Sequence, residues 1–247
     1  MPEVGGLGWV LLVLAAMVIG LSKTALPGSA TVAVALFAAV LPAKQSTGTI
    51  LLLLVLADLF AVTAYRRHAN IAALLRLAPA VLVGLAAGVA FLAVADDTLV
   101  RIVIAVILLF VIGVTLARRW MRRSVTGGGS HRFAAAVYGA LGGFTTMVAN
   151  AAGPVMSMYF LASRFSVKEF LGTAAWFFAI VNLIKIPFLI SLGMITPDGL
   201  VIDAVLAPIV IVAALVGRWV AARIDAVLFE RLVIVFTIIG AVYLLAT

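Results

Sequence analysis

At 247 residues, with 66% hydrophobic and only 11% charged side chains and a mean hydropathy of +1.33, this chain is too apolar to close around one aqueous core. Soluble domains carry about 45–50% apolar and about 25% charged residues, so the composition calls for lipid as solvent. The net charge of +8 does not point to nucleic acid, because the arginines stand at the ends of apolar runs rather than along one polar face, as the positive-inside rule describes.

Apolar segments are predicted at 7–21, 28–41, 47–65, 71–95, 99–117, 132–148, 153–163, 169–192, 200–222 and 228–246. Met1-Pro2-Glu3 lacks the basic stretch of a signal peptide, so the first segment is expected to be retained. A membrane span needs about 20 residues. The third, fourth, fifth, eighth, ninth and tenth segments meet that length, whereas the first two and the pair around Gly142–Gly153 look short.

Each short pair is interrupted by helix breakers. The first break is Ser22-Lys23-Thr24-Ala25-Leu26-Pro27-Gly28, and the second is Asn150-Ala151-Ala152-Gly153-Pro154. Proline removes an amide donor and glycine favours non-helical backbone. Open backbone at membrane depth is tolerated only inside protein or against a watery cavity, so the two breaks mark the place to look for a site.

Loop charges set the topology. Arg66, Arg67 and Arg76 flank one loop and Arg118, Arg119, Arg122, Arg123 and Arg132 another, with Asp96 and Asp97 between them. Alternation puts the arginine loops, including 118–132, in the cytoplasm, and both termini outside. The stretch 124–131 is a flexible linker by its glycine and serine content. It divides the chain into a first membrane repeat, 1–123, and a second, 132–247.

The two halves resemble each other. Lys44, Gln45, Gly48 and Thr49 align with Lys168, Glu169, Gly172 and Thr173 at an offset of 124, which also brings Asp58 onto Asn182. Pro79, Gly88, Asp96 and Leu99 align with Pro208, Gly217, Asp225 and Leu228 at an offset of 129. An odd number of crossings per half inverts the second copy. The expected fold is an all-α integral membrane protein of two inverted repeats, with broken or re-entrant helices near the midplane, an architecture common in secondary transporters.

Gly20-Leu21-Ser22-Lys23-Thr24-Ala25-Leu26-Pro27-Gly28 and Pro42-Ala43-Lys44-Gln45-Ser46-Thr47-Gly48 resemble the first half of the sulfite exporter TauE/SafE family. Phe144-Thr145-Thr146-Met147, Ala149-Asn150-Ala151-Ala152-Gly153-Pro154, Glu169-Phe170-Leu171-Gly172-Thr173, Trp176-Phe177-Phe178 and Asn182-Leu183-Ile184-Lys185 are similar to its second half. The resemblance covers essentially the whole chain. It implies export or import of sulfite, organosulfonates or related sulfur anions across the bacterial inner membrane. The chain departs from the family's glycine-rich first motif in having Lys23-Thr24-Ala25 there, so the particular anion stays open.

Substrate contacts are expected from Ser22, Lys23, Thr24, Gly28 and Ser29 at the first break, from Thr145, Thr146, Asn150 and Gly153 at the second, and from Asn182 and Lys185 within the eighth segment. An ammonium at membrane depth costs at least about 2.5–3.5 kcal/mol on insertion scales, so Lys23 and Lys185 need a reason to be there. Attraction of an anion is one, with help from hydroxyls and from helix N-terminal amides. Snorkelling to the interface is the other reading. Asp58 is either a proton carrier or half of an ion pair with Lys23 or Lys185. Gly84, Gly88, Gly139 and Gly143 have small-xxx-small spacing and read as helix packing.

The substrate is thus a small anion, the surroundings a lipid bilayer, and no nucleic acid, metal or other cofactor is called for. An enzyme would need a nucleophile–base pair or a metal cluster, and His68 and His131 both lie in basic loops. A carrier or channel for another anion such as a carboxylate, and a structural membrane subunit, are the alternative readings. Homo-oligomerisation is left open.

Overall fold

A computed structural model describes residues 4–24, 30–121, 131–163 and 165–220. Among them the chain is all helix: α1 (Gly6–Thr24), α2 (Ala30–Val40), α3 (Ala43–Tyr65), α4 (Ile71–Val94), α5 (Asp97–Met121), α6 (His131–Ala149), α7 (Ala152–Ala162), α8 (Val167–Ser191) and α9 (Pro197–Val220), with one 3-10 turn at Arg66–His68. The tenth segment, with Asp225 and Leu228, and the linker up to Ser130 lie outside the described residues. Among the described residues five helices, those of α1, α3, α4, α8 and α9, are long and apolar enough to cross a bilayer. Leu75 and Val83 of α4 are 69% and 66% exposed, as expected of surface whose solvent is lipid.

The first and sixth segments are longer than the sequence suggests. Helix α1 runs on through Ser22-Lys23-Thr24 because the hydroxyls find acceptors inside the helix: Ser22 Oγ donates to the Ile19 carbonyl at 2.9 Å and Thr24 Oγ1 to that of Gly20 at 3.1 Å. Thr145 Oγ1 does the same for α6, donating to the Leu141 carbonyl at 2.8 Å. Each helix therefore has 19 residues, about 28 Å at 1.5 Å per residue. Polar side chains that bond back to the preceding turn do not break a helix.

Helices α3 and α8 form the centre and run antiparallel. Gly48, early in α3, lies against the Met194 carbonyl and Ile195 beyond the end of α8, whereas Gly172, early in α8, lies against His68 and Ala69 beyond the end of α3. A Cβ at either glycine would collide with backbone, so only glycine permits this approach. Halfway along, Asn182 Nδ2 donates to Asp58 Oδ2 at 2.7 Å. We call the end holding Arg66–His68 the basic end, and the end holding Pro42, Asp96 and Asp97 the acidic end.

Helix starts at the two ends are held alike. At the basic end, Asn70 caps α4 through Ala73 N–H and donates to Glu169 Oε1 of α8 at 2.7 Å. At the acidic end, Thr196 caps α9 through Gly199 N–H and accepts from Gln45 Nε2 of α3 at 3.2 Å. Asp97 adds a carboxylate across the α3 N-terminus, accepting from Ala43 N–H at 3.1 Å and Lys44 N–H at 2.9 Å, where the helix dipole favours negative charge.

Two parallel helix pairs flank the centre. In the α4–α6 pair, a Cβ at Gly84 would strike the Ala140 carbonyl and one at Gly143 the Val81 carbonyl, while Gly88 faces Met147 and Gly139 faces Ala80. The small residues allow near backbone contact, which is how helices associate where lipid removes the hydrophobic drive. In the α1–α9 pair, Gly20 meets Val210, Ala213 and Ala214, and Gly217 meets Leu21 and Thr24.

Candidate functional site

The second break is built by Asn150. Its φ is +50, a left-handed value that asparagine adopts more readily than most residues. Ala151 N–H reaches back to the Thr145 carbonyl at 3.2 Å and closes α6. Helix α7 then starts at Ala152, with Pro154 in its first turn, where no amide partner is needed. The turn aims the Asn150 carboxamide into the bundle. Its Nδ2 donates to the Thr47 carbonyl of α3 at 3.1 Å, and Thr47 Oγ1 donates to the Val148 carbonyl at 3.2 Å.

From Asn150 a continuous polar chain crosses the bundle. Asn150 Oδ1 accepts from Lys185 Nζ. The same ammonium donates to Thr146 Oγ1 and to Asn182 Oδ1, each at 3.3 Å. Asn182 turns its nitrogen to Asp58 Oδ2, and Asp58 Oδ1 lies 2.7 Å from Lys23 Nζ. The Lys23 ammonium also sits 4.3 Å from the centre of the Phe178 ring. Only one orientation of the Asn182 amide serves both neighbours, since its oxygen faces a cation and its nitrogen a carboxylate. Asp58 and Asn182 are 1% exposed and Lys185 is 0% exposed.

A cavity opens beside this chain. Of the residues named from the sequence, Ser22, Lys23, Asp58, Thr146, Asn150, Gly153 and Asn182 line it. Thr24 and Thr145 do not, and their hydroxyl protons are committed to their own helices. Lys185 does not line it either. Its three donors are taken by three neutral oxygens behind the wall. Gly28 and Ser29 lie outside the described residues. Asp58 has its ion-pair partner in Lys23, the nearer of the two lysines considered for it.

The sequence reading overlooked much of the wall. Ala30, Leu54, Ala61, Leu171, Ala174, Ala175 and Phe178 all border the cavity. A signal was present: the run Gly172-Thr173-Ala174-Ala175 is unusually small for a lipid-facing helix, and Phe178 stands one turn before Asn182. Asp203 of α9, 8% exposed, was also missed. Neither of its oxygens has a partner among the described residues, and it does not line this cavity.

Among the described residues, the geometry is that of a cavity with a half-apolar wall that holds an ammonium, a carboxylate and a few neutral polar groups. Comparison with family models finds Sulfite exporter TauE/SafE over residues 12–244. Comparison with curated proteins and with solved structures found no match.

Proposed function

Because the chain belongs to the sulfite exporter TauE/SafE family, a family of membrane transporters, we propose that this multi-pass membrane protein is a secondary carrier of a sulfur-containing anion such as sulfite or an organosulfonate. The observation that carries the reading is Lys23. It is an ammonium at the cavity wall, with Asp58 as its counter-charge and with Asn150, Thr146 and Asn182 lining the same cavity. An anion leaving water needs fixed positive charge and oriented donors to offset its lost hydration. Counted formally, Lys23, Asp58 and Lys185 leave one positive charge at the centre.

Asp58 occupies the place an anion would take beside Lys23. We read it as a resident counter-ion that a bound anion displaces, helped by a proton that neutralises the carboxylate. Coupling then follows from linkage, since anion and proton each favour the state that accepts the other. Asp58→Asn should abolish uphill transport and leave anion exchange across equal gradients intact.

We also read the two halves as inverted repeats. In support, Asp58 and Asn182, aligned at an offset of 124, touch each other, as positions on a two-fold axis must. The Asn70–Glu169 and Gln45–Thr196 bonds are mates under nearly the same offset. The α4–α6 and α1–α9 packings correspond in the same way. The proposed orientation in a bacterial inner membrane has 118–132 in the cytoplasm and both termini outside. Ser130→Cys and Thr247→Cys variants, exposed to an impermeant thiol reagent in spheroplasts, should label only at position 247.

The functional test is flux in liposomes across sulfite, thiosulfate, sulfonates, carboxylates and halides. Sulfur oxyanions should move fastest, and Lys23→Gln should remove that flux. Preference for a carboxylate or halide, retained in Lys23→Gln, would sink the reading.

A further inference from the structure

The cavity is one-sided. On α8 its wall runs from Asn182 back to Leu171, about 16 Å towards the basic end at 1.5 Å per residue. On α3 it runs from Leu54 through Asp58 to Ala61, in the same direction. No residue of α3 before Leu54, and none of α8 after Asn182, lines it.

The repeat offset of 124 sorts part of this wall into two sets, whereas Lys23 itself maps to Met147, which lines no part of the cavity. Ser22 maps to Thr146, Leu54 to Phe178 and Asp58 to Asn182, and both members of each pair line the cavity. This is a centre shared by the two halves. The arm towards the basic end behaves differently. Leu171, Ala175 and Ala61 map to Thr47, Leu51 and Lys185, which are 2%, 0% and 0% exposed and line no part of the cavity. What closes that mirrored arm is visible: Thr47 is tied to the second break through the Val148 carbonyl and the Asn150 carboxamide.

We propose that the protein has a second access state in which the mirrored arm opens towards the acidic end along Thr47 and Leu51, and in which Lys185 gives the anion the cationic contact that Lys23 gives it in the present state. The inference rests on the inverted-repeat reading above and deepens it. Two helix halves that exchange conformations exchange their walls, so the position held by Ala61 in one state is held by Lys185 in the other. The two mouths are then chemically unequal. Leu51 replaces Ala175 and narrows the passage. Lys185 is held by neutral oxygens, so an anion joins it without displacing a carboxylate, whereas at Lys23 it must displace Asp58.

The chain contains no cysteine, so single thiols can be placed in the full-length protein. Ala175→Cys and Leu51→Cys variants would be exposed to small charged methanethiosulfonates in membrane vesicles of both orientations. Ala175→Cys should react only from the basic-end side, and Leu51→Cys only from the opposite side. At Leu51→Cys the sulfonate-bearing reagent should outpace the trimethylammonium reagent by on the order of ten-fold beyond their intrinsic ratio, because a nearby ammonium concentrates anions. Lys185→Gln should erase that preference and Lys185→Arg should keep it, which guards against a variant that misfolds. Thr47→Val, which removes the hydroxyl's tie to the Val148 carbonyl and keeps the Asn150 bond to the Thr47 carbonyl, should raise labelling at position 51 and lower it at 175, where mere loosening would raise both. An unreactive Leu51→Cys beside a reactive Ala175→Cys would overturn the proposal, as would labelling of both from one side or a charge preference indifferent to Lys185. These readouts need no turnover. If liposomes carried no anion at all, the transport reading would fall while the second opening could still be found.

Discussion

Lys23 and Lys185 are the same residue type in the same polar chain, and the protein treats them in opposite ways. Lys23 lines the cavity with 9% of its side chain exposed, facing one carboxylate and one aromatic ring. Lys185 is sealed, with three neutral oxygens from Thr146, Asn150 and Asn182 in place of water. One charge is cancelled by an opposite charge, and the other is solvated by dipoles. The first arrangement can be disturbed by an incoming anion, whereas the second needs a rearrangement of the second break before anything reaches it.

The largest effect should come from breaking the sealed side. Lys185→Met strips three acceptors of their donor, at about 1–3 kcal/mol each in a buried setting. A loss on the order of 3–9 kcal/mol is expected in detergent-solubilised thermal or denaturant unfolding. A variant as stable as the parent would mean the three oxygens have no need of the ammonium, and the contrast would collapse.

On the open side the expected loss is smaller, because the cavity admits water. Lys23→Met leaves Asp58 without its cation and should cost about 2–4 kcal/mol, less than a fully enclosed pair. Adding Asp58→Asn, which removes the second charge and keeps an acceptor for Asn182 Nδ2, should return most of that stability, since removing both charges is near neutral for a buried pair. Anion binding, followed by isothermal titration, should stay lost in the double variant. Additive destabilisation would show that the two residues do not act as a pair.

The remaining predictions set the two halves against each other. Gly48→Ala and Gly172→Ala each push a methyl into backbone of the opposite half, and overpacking of this kind costs about 1–3 kcal/mol. The two losses should agree closely if the halves are mates. Smallest are the caps: Asn70→Ala and Thr196→Ala should each cost about 1 kcal/mol. A large cost at one end with none at the other would argue against a shared design.

The membrane class, the helix positions and the break at Asn150 were legible because they depend on local composition and on residues that act within a few positions of themselves. The two helices that begin the short pairs ran longer than expected because Ser22, Thr24 and Thr145 satisfy their hydroxyls within their own turns. Polarity alone does not reveal where a hydroxyl proton goes. The alignment of Asp58 with Asn182 was visible as spacing, but spacing could not say that the two side chains touch.

What the sequence determined by itself was which residues could not be content in hydrocarbon: Lys23, Asp58, Asn150, Asn182 and Lys185. Only the tertiary structure decided how they share out their partners, because α1, α3, α6 and α8 each contribute to the polar chain and their approach settles which groups meet. That is why Lys23 meets Asp58 at the cavity while Lys185 is walled in by amides and a hydroxyl. Insertion cost depends on residue type and can be read along the chain, whereas the compensation depends on three-dimensional neighbours and cannot.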